Sequence, residues 1–330
     1  MKHIAAVAAA FAMGIMANVV TPVHSQAEEV SKVTFLTNYV FNGRHAPFFV
    51  GVEKGFYKEA GFDVNIAPAT GSGFVIAAIE GGQADFGMAD FSTVTQGIAN
   101  GANIKAFSVY TDISTSGLAS TEPHENPESL LGKTIAAGQT NDARVILPII
   151  LKEKGLDPEG VKWQAADPSV YFSLLLSNQV DLITATSDGD IPALTKIAEP
   201  QGKQVHFSSF ADWGYDIFGY VLVGPKKTVD TDPDKAARFA AATRKAVEYA
   251  AANVGEAAQI MVKYNPTMNV ETVETQLNGT LQAMNTDYVA KNGYGVATED
   301  RLAHAIGLVR TALQLTAELS PSDVFVQVGN

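Results

Sequence analysis

Cysteine is absent from all 330 residues, which removes disulfides, thiol nucleophiles and thiolate metal sites. Basic residues are scarce, with 23 Lys and Arg against 35 Asp and Glu and a formal net charge of −12. Binding to phosphate backbones needs clustered Lys and Arg, so nucleic acid is excluded as a partner. The six histidines are scattered, without the His-x-x-x-His or His-Glu-x-x-His spacing of a zinc enzyme. No Gly-x-Ser-x-Gly nucleophile elbow occurs. Asp188-Gly189-Asp190 hints at calcium but lacks the further oxygen ligands that a calcium loop places at fixed offsets. The reading is a chain with no catalytic residues, no metal and no cofactor.

One long apolar run is present, from Ile4 to Val20, with Lys2 before it and Ser25-Gln26-Ala27 after it. A basic start, an apolar stretch too short for a span and a small-x-small end describe a secretory signal over residues 1–27. Cleavage after Ala27 removes Lys2 and no acid, leaving 22 bases against 35 acids, a net charge of −13. The remaining length suits two domains.

The stretch from Asn42 to Val64 organises the rest. Pro47 suits the start of a helix, and Phe48, Val52 and Phe56 recur at helical spacing. Gly55 and Gly61 break the helix, and Phe62, Val64 and Ile66 alternate with Asp63 and Asn65 as a strand does. With Val33–Thr37 as an earlier strand the unit is β-loop-α-β, the crossover that parallel strands require. Ligands of open α/β sheets bind beyond the carboxyl ends of the strands. The loop 38–45, with Tyr39, Phe41, Arg44 and His45, lies there.

Further on, Thr70-Gly71-Ser72-Gly73-Phe74 turns into a helix over Phe74–Glu80. It has too few glycines for a dinucleotide fingerprint, and its candidates are the backbone N–H groups of Ser72 and Gly73. Ala84–Ala89 reads as a buried strand followed by Asp90 and Ser92, either of which could cap the next helix. Ile104–Tyr110 is a strand, and a polar connector follows at 120–127. Strands over Thr134–Ala137, Val161–Ala165, Asp181–Ala185 and Gln204–Phe207 form a second α/β pattern. Gln139, Thr140 and Asn141 lead into a helix that Pro148 should kink or break. Asp190 reads as a cap of a helix starting near Ile191, whereas Asp188 is the better acceptor for ligand N–H groups. Trp213 and Tyr215 form an aromatic loop before a strand over Ile217–Val223, and helices follow from Asp232 onward. This order fits a chain that enters a second domain and returns, with domain one at 31–115 plus 222–330 and domain two at 116–221.

The segments HAPFFVGVEKGFYKEAGFDV (45–64), EGGQADFGMAD (80–90), LGKTIAAG (131–138) and SNQVDLITAT (177–186) together resemble the NMT1/THI5-like periplasmic solute-binding proteins of ABC importers. These are related to the nitrate, sulfonate and taurine binders. The resemblance implies a two-domain α/β periplasmic-binding-protein fold of type II with its ligand cleft between the domains. It also implies a periplasmic monomer that passes a small molecule to a membrane permease. It places the loop at Asp90 and Ser92 and the region of Trp213 and Tyr215 at the cleft. His45 matches the family's pocket histidine, and Asp188 an acidic position of its pyrimidine-binding branch. Yeast members of the superfamily make pyrimidines and carry a cysteine-rich motif, which this chain lacks.

The ligand-contact candidates are therefore Tyr39, Phe41, Arg44, His45, Ser72, Gly73, Asp90, Ser92, Gln139, Thr140, Asn141, Asp188, Trp213 and Tyr215. Tyr39 and Phe41 are expected to oppose Trp213 and Tyr215 around a flat, pyrimidine-like solute. Arg44 in the cleft would instead suit an organic anion such as a sulfonate, an aromatic carboxylate or nitrate. A pyrimidine-synthesis enzyme is the alternative of another class. In its native host the protein should have an intact mass that begins at Glu28, and a retained Met1 would remove the exported reading.

Overall fold

The computed structural model describes residues 30–215 and 217–328, so the signal read at 1–27 lies outside the described residues. Among the described residues no helix is long and apolar enough to cross a membrane. The strands in chain order are β1 (Ser31–Leu36), β2 (Phe62–Ala67), β3 (Phe86–Asp90), β4 (Ile104–Val109) and β5 (Ser116–Ser120). They continue with β6 (Thr134–Ala137), β7 (Lys162–Ala165), β8 (Leu182–Thr186), β9 (His206–Ser209) and β10 (Tyr220–Pro225). They form two five-stranded sheets, ordered β2-β1-β3-β10-β4 and β7-β6-β8-β5-β9. In each sheet the first three strands are parallel and the fourth is antiparallel to its neighbours.

The opening unit follows its residue pattern. Val33 and Phe35 of β1 face a buried layer with Phe48 and Val50 of the helix Ala46–Glu53. The Phe35 and Phe48 rings lie 4.5 Å apart, and the helix Pro233–Ala252 adds Phe239 to the same layer. The 3-10 turn Gly43–His45 precedes the crossover helix and packs on the helix Val270–Met284.

Three expectations need correction. Pro148 does not break its helix, which runs from Ala143 to Glu153. Val145, Ile146, Leu147, Ile149, Ile150 and Leu151 are all buried there, and that packing outweighs one missing backbone hydrogen bond. Strand β5 is absent from the sequence reading because Ser-Gly-Leu-Ala-Ser lacks β-branched residues. It is nevertheless buried throughout, between β8 and β9. The last strand begins at Tyr220 rather than Ile217, since Gly219 is held by Thr111 in the segment joining the two sheets.

Gly43 shows how closely the 3-10 turn is packed. A Cβ there would lie 2.4 Å from the Val273 carbonyl oxygen and 2.6 Å from Gln276 Cβ. Gly43→Ala should cost about 1–3 kcal/mol in urea unfolding. Gly307→Ala, in the helix Glu299–Leu313 with nothing within 4 Å of its Cβ, should be roughly 0.5–1 kcal/mol stabilising. Equal effects of the two changes would contradict this packing.

Candidate ligand-binding cleft

The carboxyl ends of β1, β3, β6 and β8 converge on one region between the two sheets. A narrow cavity of about 10 Å³ lies there, room for roughly one water. Asn38, Tyr39, Arg44, Gly71 and Tyr220 line it from the first sheet's side, and Asn141, Asp142, Thr184, Thr186 and Asp190 from the second's.

Two sets of contacts close the cavity. On one side the Gly73 N–H donates to the Thr140 carbonyl at 3.1 Å. A Cβ on Gly71 would fall 2.2 Å from that same carbonyl oxygen. On the other side Arg44 and Asp188 form a fully buried ion pair. Arg44 Nε donates to Asp188 Oδ2 at 2.8 Å and Nη2 to Oδ1 at 2.5 Å. The Thr280 hydroxyl adds a bond to Oδ2 at 2.6 Å. Gln276 accepts from the Gly43 N–H and donates to the Gly189 carbonyl, tying the same two loops together.

Burial works to raise the Asp188 carboxyl, but the charge and hydrogen bonds of Arg44 outweigh it and hold the group at about 2. Burial likewise opposes the Arg44 charge, and Asp188 reverses that, so the guanidinium stays protonated. It sits 4.7 Å over the Tyr220 ring, and its buried Nη1 has no hydrogen-bond partner among the described residues.

Three other carboxyl groups cluster nearby. Asp142 accepts from the Ala143 N–H at 3.0 Å and the Tyr220 hydroxyl at 3.2 Å. Asp190 does not cap its helix; it turns back to accept from the Thr186 N–H and hydroxyl. Asp90 does cap the helix Phe91–Ala99, accepting from Thr93, and also takes a hydrogen bond from Tyr215. Burial pushes all three upward, Asp190 to about 6; the Asp142 charge raises Asp90 further, and Arg44 opposes the rise at Asp142 and Asp190.

Of the candidates read from sequence, Tyr39, Arg44 and Asn141 line the cavity. Asp188 and Thr140 lie in its two closing contacts. His45 is placed elsewhere: its Nδ1 accepts from the Asn42 N–H, and its Nε2 donates to Asn38 Oδ1 at 3.2 Å. Burial and then Arg44 keep its ring neutral. Ser72 accepts from the Asp90 N–H, and Ser92 bonds the Tyr215 hydroxyl at 2.5 Å. Gln139 is exposed and does not line the cavity. The four rings do not face one another. Phe41 packs edge-on against Phe49, and Trp213 packs near Phe210 with its Nε1 donating to the Glu125 carbonyl. Of the residues that sequence reasoning missed as contacts, Asn38, Gly71, Asp142 and Asp190 lie in loops that follow strands, Thr184, Ala185 and Thr186 close β8, and Tyr220 opens β10. For the loop residues that position was the available signal.

The family description "NMT1/THI5 like" matches residues 42–257. The chain belongs to this family. It is 23% identical over 282 residues to the 4-amino-5-hydroxymethyl-2-methylpyrimidine phosphate synthases THI11 and THI5 of Saccharomyces cerevisiae, covering 80% of this chain and 82% of each relative. Its fold is that of the alkanesulfonate-binding protein SsuA of Xanthomonas axonopodis bound to MOPS, with TM-score 0.67 and 11% identity over 91% of this chain and 100% of the other. The aliphatic sulphonate-binding SsuA of Escherichia coli gives TM-score 0.63 at 11% identity, covering 91% and 93%. Membership confirms the type of fold read from the sequence: mixed α/β, with two sheets in the periplasmic-binding-protein arrangement.

The ion pair invites a double-mutant cycle in urea unfolding. Arg44→Met alone should cost about 3–5 kcal/mol, because Asp188 would stay buried without its counter-charge. Arg44→Met with Asp188→Leu should cost less than the two single changes added together. Simple additivity would mean that the two side chains do not act as a pair.

Proposed function

We propose that the chain is the extracytoplasmic solute-binding subunit of an ABC importer, which captures a small planar, pyrimidine-like solute by hinge closure. The observation that carries this reading is the cavity at the strand ends, lined by elements of both sheets. Two lobes, 31–115 with 222–330 and 116–221, would then part at the Gly71–Thr140 contact to admit the solute. The leader at 1–27 fits a periplasmic protein that works as a monomer and hands its solute to a membrane permease.

The named pyrimidine chemistry of the yeast relatives supports a heterocycle. So does the lining, in which Tyr39 and Tyr220 supply rings and Asn141, Asp142 and Asp190 supply acceptors. The sulfonate named for the structural neighbours suits this lining less well. An anion needs a free Arg, and Arg44 already serves Asp188. An enzyme of pyrimidine synthesis would need a Schiff-base lysine or a thiol. The chain has no cysteine, and no lysine is among the lining residues.

Mass spectrometry of solute released from protein purified from its host should find a nitrogen heterocycle. Calorimetry should find pyrimidines bound more tightly than sulfonates, with Tyr39→Ala weakening them by about 2 kcal/mol. Small-angle scattering should show a smaller radius of gyration at saturation, and Gly71→Ala should abolish the contraction by holding the lobes apart. A sulfonate bound tightly and indifferently to Tyr39→Ala would sink the heterocycle. No contraction in the unmodified protein at verified saturation would sink the hinge.

A further inference from the structure

Resting on that reading of the cleft, we propose that the solute is held as a cation: the site takes the protonated form of a planar nitrogen base, and its positive charge is set between Asp142 and Asp190.

The charges around the cavity are not balanced. Among the described residues Arg44 is the single cation that faces it, and that cation is committed to Asp188 through two hydrogen bonds. Together they form a neutral pair. Asp142 and Asp190 line the cavity and accept hydrogen bonds, but every donor they have is uncharged: backbone N–H groups, Tyr220 and Thr186. Asp90, one layer deeper and on the other sheet, is bonded by Thr93 and Tyr215, again without a cation.

The other titratable groups near these acids do not alter the balance. Asp142 faces Arg44 from the 3-10 turn, Asp90 from the end of β3, and the hydroxyls of Tyr39, Tyr171, Tyr215 and Tyr220. Asp190 faces Arg44, Asp188, Tyr39 and Tyr171. His45, beside Arg44, is neutral and engaged at both ring nitrogens. No lysine or charged histidine is in either set.

Closing such a site over a neutral guest buries carboxylates without counter-charge, which costs so much that they take up protons instead. The upward shifts of all three acids are the mark of that cost. A guest that carries a positive charge removes it, and its N–H groups gain charge-assisted hydrogen bonds. The buried Nη1 of Arg44 has no partner among the described residues, so a guest with a further ring nitrogen free to accept gains a second hydrogen bond, while one without it is still held by its charge. When the base nitrogen takes its proton from one of the two carboxyl groups, the carboxylate left behind is the counter-ion; when it enters already protonated from solvent, an ionised Asp142 or Asp190 is.

Benzamidine, benzamide and benzoate test the idea, since they share one ring and one shape and carry charges of opposite sign or none. In calorimetry on the full chain near neutral pH, benzamidine should bind at least about 10-fold more tightly than benzamide, and benzoate should not bind. Asp142→Asn and Asp190→Asn, examined separately and each checked for an unchanged fold by circular dichroism, should each remove most of that preference. Equal affinity for benzamide and benzamidine in the unmodified protein overturns the cation and leaves the planar solute standing. Benzoate as the tightest of the three, or a sulfonate bound when none of the three is, overturns both.

Discussion

The buried pair of Arg44 and Asp188 is the constraint on which the cleft depends. Taking two full charges out of water costs several kcal/mol for each ion, and only good geometry with further hydrogen bonds repays it. Here the geometry is bidentate, Thr280 adds a third bond to the carboxylate, and the Tyr220 face covers the guanidinium. A pair so placed has few ways to move. It fixes the loop after β8 against the turn before the first crossover helix, and Gln276 repeats the connection through backbone groups on either side. Close packing reinforces it, since a Cβ on Gly279 would come within 3.0 Å of Asp188.

Much of the architecture was legible in the sequence because it is set by local patterns. The apolar spacing of Phe48 and Val52, the alternation after Gly61 and the cap at Asp232-Pro233 each act within one or two turns of chain. The elements Ala46–Glu53, β2 and Pro233–Ala252 followed from them. Strand β6 was read with its observed ends. What escaped was set by distant partners. Strand β5 is a strand because β8 and β9 flank it, and nothing in five small residues announces that. Pro148 sits in an unbroken helix because its neighbours are buried on nearly every side.

The cleft was legible as a place more than as a set of contacts. The rule that ligands lie past strand ends pointed to the loops after β1, β6 and β8, and the cavity is there. Which side chain of each loop faces inward depends on contacts made far along the chain. Arg44 and Asp188 are 144 residues apart, and Asp142 and Tyr220 are 78 apart. Aromatic residues misled for the same reason. Phe41 and Trp213 are large and lie in loops, yet each found a hydrophobic layer to enter. Tyr39 and Tyr220 were left at the cavity because their hydroxyls suit a polar wall.

Those hydroxyls also explain how the acids can coexist so near one another. A hydroxyl satisfies a carboxylate as an acceptor but does nothing for its charge, whereas a lysine or arginine would do both. Tyr215 at Asp90 and Tyr220 at Asp142 are therefore a choice of one service without the other. The two acids differ, Asp188 being matched in charge and Asp142 accepting its hydrogen bonds from uncharged donors. On the proposed reading, the neutral pair serves the fold and the unmatched carboxyl groups serve the solute. That division also accounts for a fold shared with sulfonate binders at 11% identity, because the sheets that carry the loops do not dictate the charge that the loops present.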